Sequence, residues 1–388
     1  MPATETGDMD FRPSDEQRAF RSSVATFVDD VVMPQANRID RTDTFPGKLV
    51  TQLGERGLMG MPFSTNRGGA GVDYHGYADG LIEISRGSGA LGTIVAAHTS
   101  LASVMIERFG SSMQTEEYFS PLVSGAEIGA FALSESGAGS DVGSMKTTAV
   151  RNGDAYVISG EKQWISNGSV ADTIILFAKT DPGAGNDGIS SFIVRPQSDD
   201  GVSIPRTESK LGDRGCPTAT IRLQEVILPA DRRIGDEDDG FLQALKTLNG
   251  GRITIAARSI GLATAAFDTM MRQFDERGPE LTSQASEHAI ASMATEIQAA
   301  ELLMHKAAHK RITGQSHVTE AAMAKLVASE VSRTVTSRAL DLCGTNGMTQ
   351  AAPLERYYRD AKLNEIYEGT SEILRNTIAA RMLKNRSS

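Results

Sequence analysis

The sequence predicts an α+β protein, mostly α, in three parts: an N-terminal helical domain, a middle antiparallel β-barrel or sandwich, and a C-terminal four-helix bundle. Three observations predict it. Helical spacing runs to about residue 122, period-2 alternation with turn punctuation takes over from Ile128 to about Gly235, and helical spacing returns from Gly240. A chain of 388 residues also exceeds one ordinary core. The expected domains are 1–126, 127–238 and 239–388.

Ser14 with Gln17 three residues on forms a capping box, and Phe20, Val24, Phe27, Val31 and Val32 follow at helical spacing. Pro34 predicts a kink or a fresh turn, and helices follow at Leu49–Gly57, Tyr74–Ser85 and Ala90–Phe109. In the middle, Met145–Ile158 alternates around Asn152-Gly153, a hairpin signal. Further strands are expected at Thr173–Ala178, Ser190–Val194, Val202–Pro205 and Thr218–Val226. Long alanine-rich helices follow at Phe241–Phe274, Gln284–Thr313, Thr319–Leu342 and Thr370–Leu383, and such helices pack as a bundle. The last has Leu374, Ile378 and Met382 at i, i+4 and i+8, which predicts a buried stripe.

Composition excludes several functions. A formal net charge of −10 leaves no basic surface to displace counterions, so nucleic acid is not expected as a partner. Two cysteines, Cys216 and Cys343, fit a reducing cytoplasm. The acidic N-terminus shows no secretory signal, and no apolar run approaches the ~20 residues of a membrane span. His305 and His309 lie four apart, but neither a neighbouring glutamate nor a third ligand is evident, so no metal is expected.

One carboxylate stands apart. Glu368 precedes Gly369, where the backbone turns freely, and Thr370 N-caps a helix with Glu372 in its first turn. A carboxylate on a loop just ahead of an anchored helix suits a general base. The string Arg356-Tyr357-Tyr358-Arg359-Asp360-Ala361-Lys362, followed by Ile366-Tyr367-Glu368-Gly369-Thr370-Ser371-Glu372-Ile373, resembles the C-terminal signature of the acyl-CoA dehydrogenase family. The resemblance implies that Glu368 takes the α-proton of an acyl thioester while hydride passes to the N5 of FAD, giving a trans-2-enoyl product. It places Tyr367 and Gly369 at the substrate, and Thr370 and Glu372 at the cofactor.

Other strings carry the same resemblance. Phe131-Ala132-Leu133-Ser134-Glu135-Ser136-Gly137-Ala138-Gly139-Ser140-Asp141 lacks dinucleotide-fold spacing and is similar to the family's first flavin motif. That implies Phe131, Leu133 and Ser134 at the flavin and Ser140 along the pantetheine arm. Ser136 replaces the usual proline, which predicts a looser turn. Lys162-Gln163-Trp164-Ile165-Ser166-Asn167-Gly168 resembles the second motif, with Trp164 beside the ring and Ser166 at its reactive edge. Lys210–Thr218 resembles a third, in which Asp213 replaces an apolar residue. Arg252 matches an arginine that supports the substrate site. Gly251 cannot serve as the base that some family members carry at that earlier position.

Phe274 and Gln284 match cofactor positions, whereas Met271, Asp341 and Thr345 replace the usual Arg, Gln and Gly near the diphosphate. Weaker FAD binding, or a second subunit type, is the expectation there. The resemblance implies a homotetramer and an electron-transferring flavoprotein as electron acceptor. Two alternatives stay open: the same fold acting on a carrier-protein-bound thioester, and a flavin-poor subunit of a hetero-oligomer.

Overall fold

The protein is described here by a computed structural model, which describes residues 12–277, 283–350 and 352–384. The N-terminal region is helical: α1 (Asp15–Phe27), α2 (Met33–Thr42), α3 (Gly47–Glu55), α4 (Tyr74–Gly87), α5 (Gly89–Ala96), α6 (Val104–Phe109), α7 (Ser112–Gln114) and α8 (Ser120–Val123). The Ser14–Gln17 capping box starts α1. A π-helical stretch, Val28–Val32, joins α1 to α2 without a break, and Pro34 follows it directly as the second residue of α2.

A second π-helical stretch, Ala97–Ser103, joins α5 to α6, making Gly89–Phe109 one continuous rod. Its 21 residues are long and apolar enough to cross a membrane, contrary to the expectation that no such run exists. The apolar window is entirely buried inside the protein, as in a core helix. His98, on this rod, donates from Nε2 to the Leu122 carbonyl (2.9 Å) and accepts at Nδ1 from the Gly129 N–H (2.9 Å), tying helix to sheet.

Eight strands follow: β1 (Gly129–Ala132), β2 (Thr148–Asn152), β3 (Ala155–Ser166), β4 (Thr173–Lys179), β5 (Ile189–Val194), β6 (Val202–Thr207), β7 (Thr218–Pro229) and β8 (Arg233–Ile234). They form one sheet in the order β6-β7-β3-β2-β4-β5-β8, with β1 added on β4. The sheet is mixed, because β1 runs parallel to β4 and Thr148 of β2 pairs in parallel with Lys179 of β4. Strand β1 was not expected: its four residues run into the start of the glycine-rich motif and show no alternation. The predicted hairpin forms, with Gly153 at φ 58° in its turn.

The C-terminal helices are α9 (Gly240–Arg277), α10 (Gln284–Ile312), α11 (Val318–Cys343), α12 (Leu354–Leu363) and α13 (Ser371–Lys384). One apolar core joins them to the N-terminal helices, packing Val24, Leu53, Tyr77 and Ile82 with Ile253, Ala263, Met304 and Ala328. A second core fills the space between the Gly89–Phe109 rod and the sheet, and a third lies within the sheet. The stripe expected on α13 is cut short: Leu374 is buried, Ile378 is half-buried and Met382 is exposed, since the helix runs outward past this chain's core.

Candidate active site

Glu368 lies in the bend between α12 and α13 with φ +52°, a left-handed conformation that strains a residue with a side chain by about 1–2 kcal/mol. Two grips from α11 hold the bend. Ser329 Oγ donates to the Asn364 carbonyl (3.0 Å), and Lys325 Nζ donates to the Gly369 carbonyl (2.6 Å). Tyr367 fixes the other side through its hydroxyl to Asn364 Oδ1 (3.1 Å). Beyond the bend, Thr370 Oγ1 accepts from the Ile373 N–H (3.3 Å), capping α13 as the sequence predicts. Glu372, fully exposed in the first turn, is held below its ordinary pKa by the helix N–H groups.

The carboxylate of Glu368 points at α9. A Cβ on Gly251 would lie 2.2 Å from Oε2, so any larger residue there would push the Glu368 carboxylate aside. Positions 251 and 368, the two mounts that the resemblance implies for a base, therefore lie side by side. Glu368 Oε2 is buried with no hydrogen-bond partner among the described residues. Burial pushes the carboxyl up to about 7, against the opposing pull of Lys325 and Arg252. The shift exists in the protein alone. Arg252 is 7% exposed and donates to Asn249 Oδ1 (3.0 Å), with its Nε unpaired.

The flavin-motif residues form a second group, stitched strand to loop. The Gln163 N–H donates to the Ser134 carbonyl (2.9 Å) and Lys162 Nζ to the Leu133 carbonyl (3.1 Å). Between Lys162 and Ile165 the β3–β7 register slips, and the bulge swings Trp164 outward at φ +65°. Trp164 is consequently 57% exposed, an unusual fate for a tryptophan on a central strand. Phe131 packs on Phe177 (4.8 Å between centroids), and Ser134 and Ser166 are half-buried. The turn at Ser136 is closed by paired backbone bonds between Glu135 and Ala138, so no loosening is seen.

The two groups are linked through the third motif. Asn167 Nδ2 donates to the carbonyls of Ile94 (3.1 Å) and Gly129 (3.2 Å), while its N–H donates to the Pro217 carbonyl (2.8 Å). Asp213, whose role the sequence left open, accepts from buried Arg258 and from Thr93 Oγ1 (2.8 Å), and its N–H donates to Asp360 (2.7 Å). Arg258 also bonds Asn364 in the bend that carries Glu368. Cys216 beside them is buried, and its thiol is pushed up to about 12, so it stays protonated and structural.

Other candidates lie elsewhere. Phe274 follows Arg252 by 22 residues on α9, about 33 Å at ~1.5 Å per residue, and Gln284 opens α10 beyond it. Within one chain neither reaches the Glu368 bend. Met271 is half-buried against the core and Asp341 is exposed at the same distant end. Ser140 is exposed on the loop after the first motif. His305 does find further ligand-type neighbours, contrary to expectation: Asp79 (3.4 Å), Glu301 (4.0 Å) and His75 (3.0 Å). Arg21 already bonds Glu301 (3.0 Å) and Asp79 (3.5 Å), filling the place a cation would take.

Three sets of residues were missed. Lys325 is fully buried on an otherwise small-residue face of α11, and that odd placement was its only signal. Arg258 and Asp360 meet only across the fold, each bonded to Asp213. Tyr74, 8% exposed, carries the Arg311 guanidinium over its ring at 4.0 Å, and its hydroxyl lies 3.1 Å from where a Gly250 Cβ would stand.

Residues 14–126, 130–226 and 238–383 match, respectively, the N-terminal, middle and C-terminal domains of acyl-CoA dehydrogenase. The chain belongs to the acyl-CoA dehydrogenase family. It is 42% identical over 97% of its length to "Acyl-CoA dehydrogenase, short-chain specific" of Clostridium acetobutylicum, all of which is covered. Its fold is similar to that of butyryl-CoA dehydrogenase from Megasphaera elsdenii, with a TM-score of 0.94 at 34% identity, covering 97% of this chain and 100% of that one. A chain from a study of the electron transferring flavoprotein of Acidaminococcus fermentans gives the same TM-score at 35% identity and the same coverage.

Acyl-CoA dehydrogenases are FAD-dependent oxidoreductases, and this chain is one of them. Its residues fit the cofactor. Trp164 is a flat ring turned out to solvent, serine hydroxyls lie at 134 and 166, and a Cβ on Gly137 or Gly139 meets nothing within 4 Å. That open ledge suits a planar ring system.

Proposed function

We propose that Glu368 is the catalytic base of an acyl-CoA dehydrogenase acting on short acyl chains. The observation that carries this reading is the Glu368 carboxyl: buried, unpaired at Oε2, raised to about 7 and facing Gly251. A base whose pKa lies near the working pH transfers protons best. The proton next to a thioester carbonyl is weakly acidic, so charge developing on the carbonyl oxygen must be stabilised. The Glu368 N–H meets that oxygen in this reading, and Glu368 takes the α-proton. Bound FAD supplies the acceptor for the hydride that leaves the β-carbon.

Phe131, Leu133, Ser134, Trp164 and Ser166 would hold the flavin ring, with Thr370 and Glu372 at its edge. Ser140, Arg252, Tyr367 and Gly369 would contact the thioester. Phe274 and Gln284 lie about 33 Å or more along the fold from Arg252, so they would serve a second copy's cofactor. A homotetramer follows as the proposed assembly, with the outer half of α13, including exposed Met382, as part of the covered surface. The short-chain assignment is supported by the name of the Clostridium relative and by the Megasphaera structure. An electron-transferring flavoprotein is the proposed acceptor, the cytoplasm the proposed location, and 126/127 and 238/239 the proposed domain boundaries.

The test is a panel of acyl-CoA thioesters with an artificial electron acceptor, on protein whose flavin absorbance has been measured. Flavin-dependent turnover with a maximum at about four carbons is expected. A colourless protein, or turnover only of carrier-protein thioesters, would contradict the proposal.

A further inference from the structure

We propose that Lys325 is the positioning residue for the base: its ammonium clamps the Glu368–Gly369 bend and supplies the buried positive charge against which Glu368 exchanges its proton. This rests on the reading of Glu368 as the base and concerns what sets that base.

Three observations converge. Lys325 is fully buried, although lysine is almost never so unless paired. Its Nζ lies 2.6 Å from the Gly369 carbonyl, one residue past the base. Its buried neighbours one turn away on α11, Ala321, Ala322 and Ala328, are all small, so no large side chain of that helix competes with its stem. The ammonium bonds the backbone rather than the carboxylate. It thus fixes where Glu368 stands without occupying the oxygen that must receive a proton.

The charged and titratable groups facing Glu368 come from four directions. Lys325 approaches from α11 and Arg252 from α9, and both favour the ionised carboxylate. Tyr74 and Tyr77 approach from α4 and Tyr367 from the bend itself; burial pushes all three phenols up, so they stay neutral. Lys325 is itself brought down to about 8 by burial, opposed by Glu368, Glu365 and Glu372 and assisted by Arg252. Around neutral pH the lysine therefore carries its proton while Glu368 titrates. Removing the ammonium leaves burial opposed by Arg252 alone, and Glu368 must then ionise at higher pH.

The experiment is the pH profile of kcat/KM from about pH 5.5 to 8 with butyryl-CoA, for wild type, Lys325→Met, Lys325→Gln and Lys325→Arg. Rates are normalised to bound flavin, and folding is checked by thermal denaturation. The expected result is that the rising limb moves up by about one pH unit in the Met and Gln variants, a roughly tenfold loss near pH 6. The Arg variant keeps the charge, and its limb is expected to stay near wild type. A limb that superimposes on wild type in a neutral variant, or that moves equally in the Arg variant, overturns the proposal. Should the Met variant fail to fold, Gln and Arg decide alone. The same shift is read without turnover from the infrared carboxylic-acid band of Glu368 during a pH titration. That band must vanish in Glu368→Gln, whose activity separately tests whether Glu368 is the base.

Discussion

Two glutamates turn their carboxyls inward beside lysines, and the molecule treats them in opposite ways. In the sheet, Glu135 accepts from the N–H groups of Lys146 (2.6 Å) and Thr147 (3.0 Å), from Thr147 Oγ1 (2.6 Å) and from Lys162 Nζ (2.8 Å). Burial works against its charge, but those donors and the ammonium win and hold its pKa below the ordinary value. In the helical region, Lys325 turns its ammonium to a carbonyl, Oε2 of Glu368 is left unpaired, and burial wins. A saturated carboxylate is a rivet. An unsaturated one keeps a lone pair for a proton from elsewhere, at a pKa near 7.

The largest expected effect breaks the rivet. Lys162→Met strands a buried carboxylate and should destabilise the fold by about 3–5 kcal/mol, read as a lower urea midpoint. Leu133 also loses the donor to its carbonyl, so flavin retention after dialysis should fall with it. Next comes crowding of the other carboxylate. Gly251→Ala puts a methyl 2.2 Å from Glu368 Oε2 and should lower kcat roughly a hundredfold with little change in thermal stability. Equal losses of activity and stability would show that Gly251 serves packing instead.

The comparison also fixes a sign. Glu368 is raised in the folded state, so it binds its proton more tightly there than in the unfolded chain. Its ionisation must therefore cost stability as pH rises from the ordinary carboxyl range through about 7. Glu368→Gln should melt above wild type at pH 8, with the gap closing toward pH 5. Glu135 is lowered, so its contribution is present at neutral pH and lost as pH falls. The smallest effect concerns Trp164. Trp164→Ala removes an exposed ring and should weaken flavin binding by about 0.5–1.5 kcal/mol, measured by fluorescence titration of the apoprotein, with the fold unchanged.

What was legible in the sequence was contiguous. The Tyr367–Thr370 string, the Trp164 motif, the Asn152-Gly153 hairpin and the Ser14 cap each act within a few residues of themselves. Lys325 was not legible, because its partner lies 44 residues on and only the packing of α11 on the bend brings them together. Asp213, Arg258 and Asp360 come from three separate segments, and a lone charge in each reads as a solvated surface. Strand β1 was hidden because it takes its order from β4 rather than from its own alternation. The stripe on α13 misled for the reverse reason: the spacing is real, but nothing among the described residues covers its outer half.

The central claim is that Glu368 takes the α-proton. Deuterium exchange at the α-carbon of a bound, non-oxidisable acyl-CoA analogue in D2O isolates that step from electron transfer. Wild-type protein should exchange the α-hydrogen, with a rate rising through about pH 7. Glu368→Gln, folded and carrying FAD, should slow the exchange by about a hundred- to ten-thousand-fold. Exchange in that variant within about tenfold of wild type, a difference below ~1.4 kcal/mol, would contradict the account.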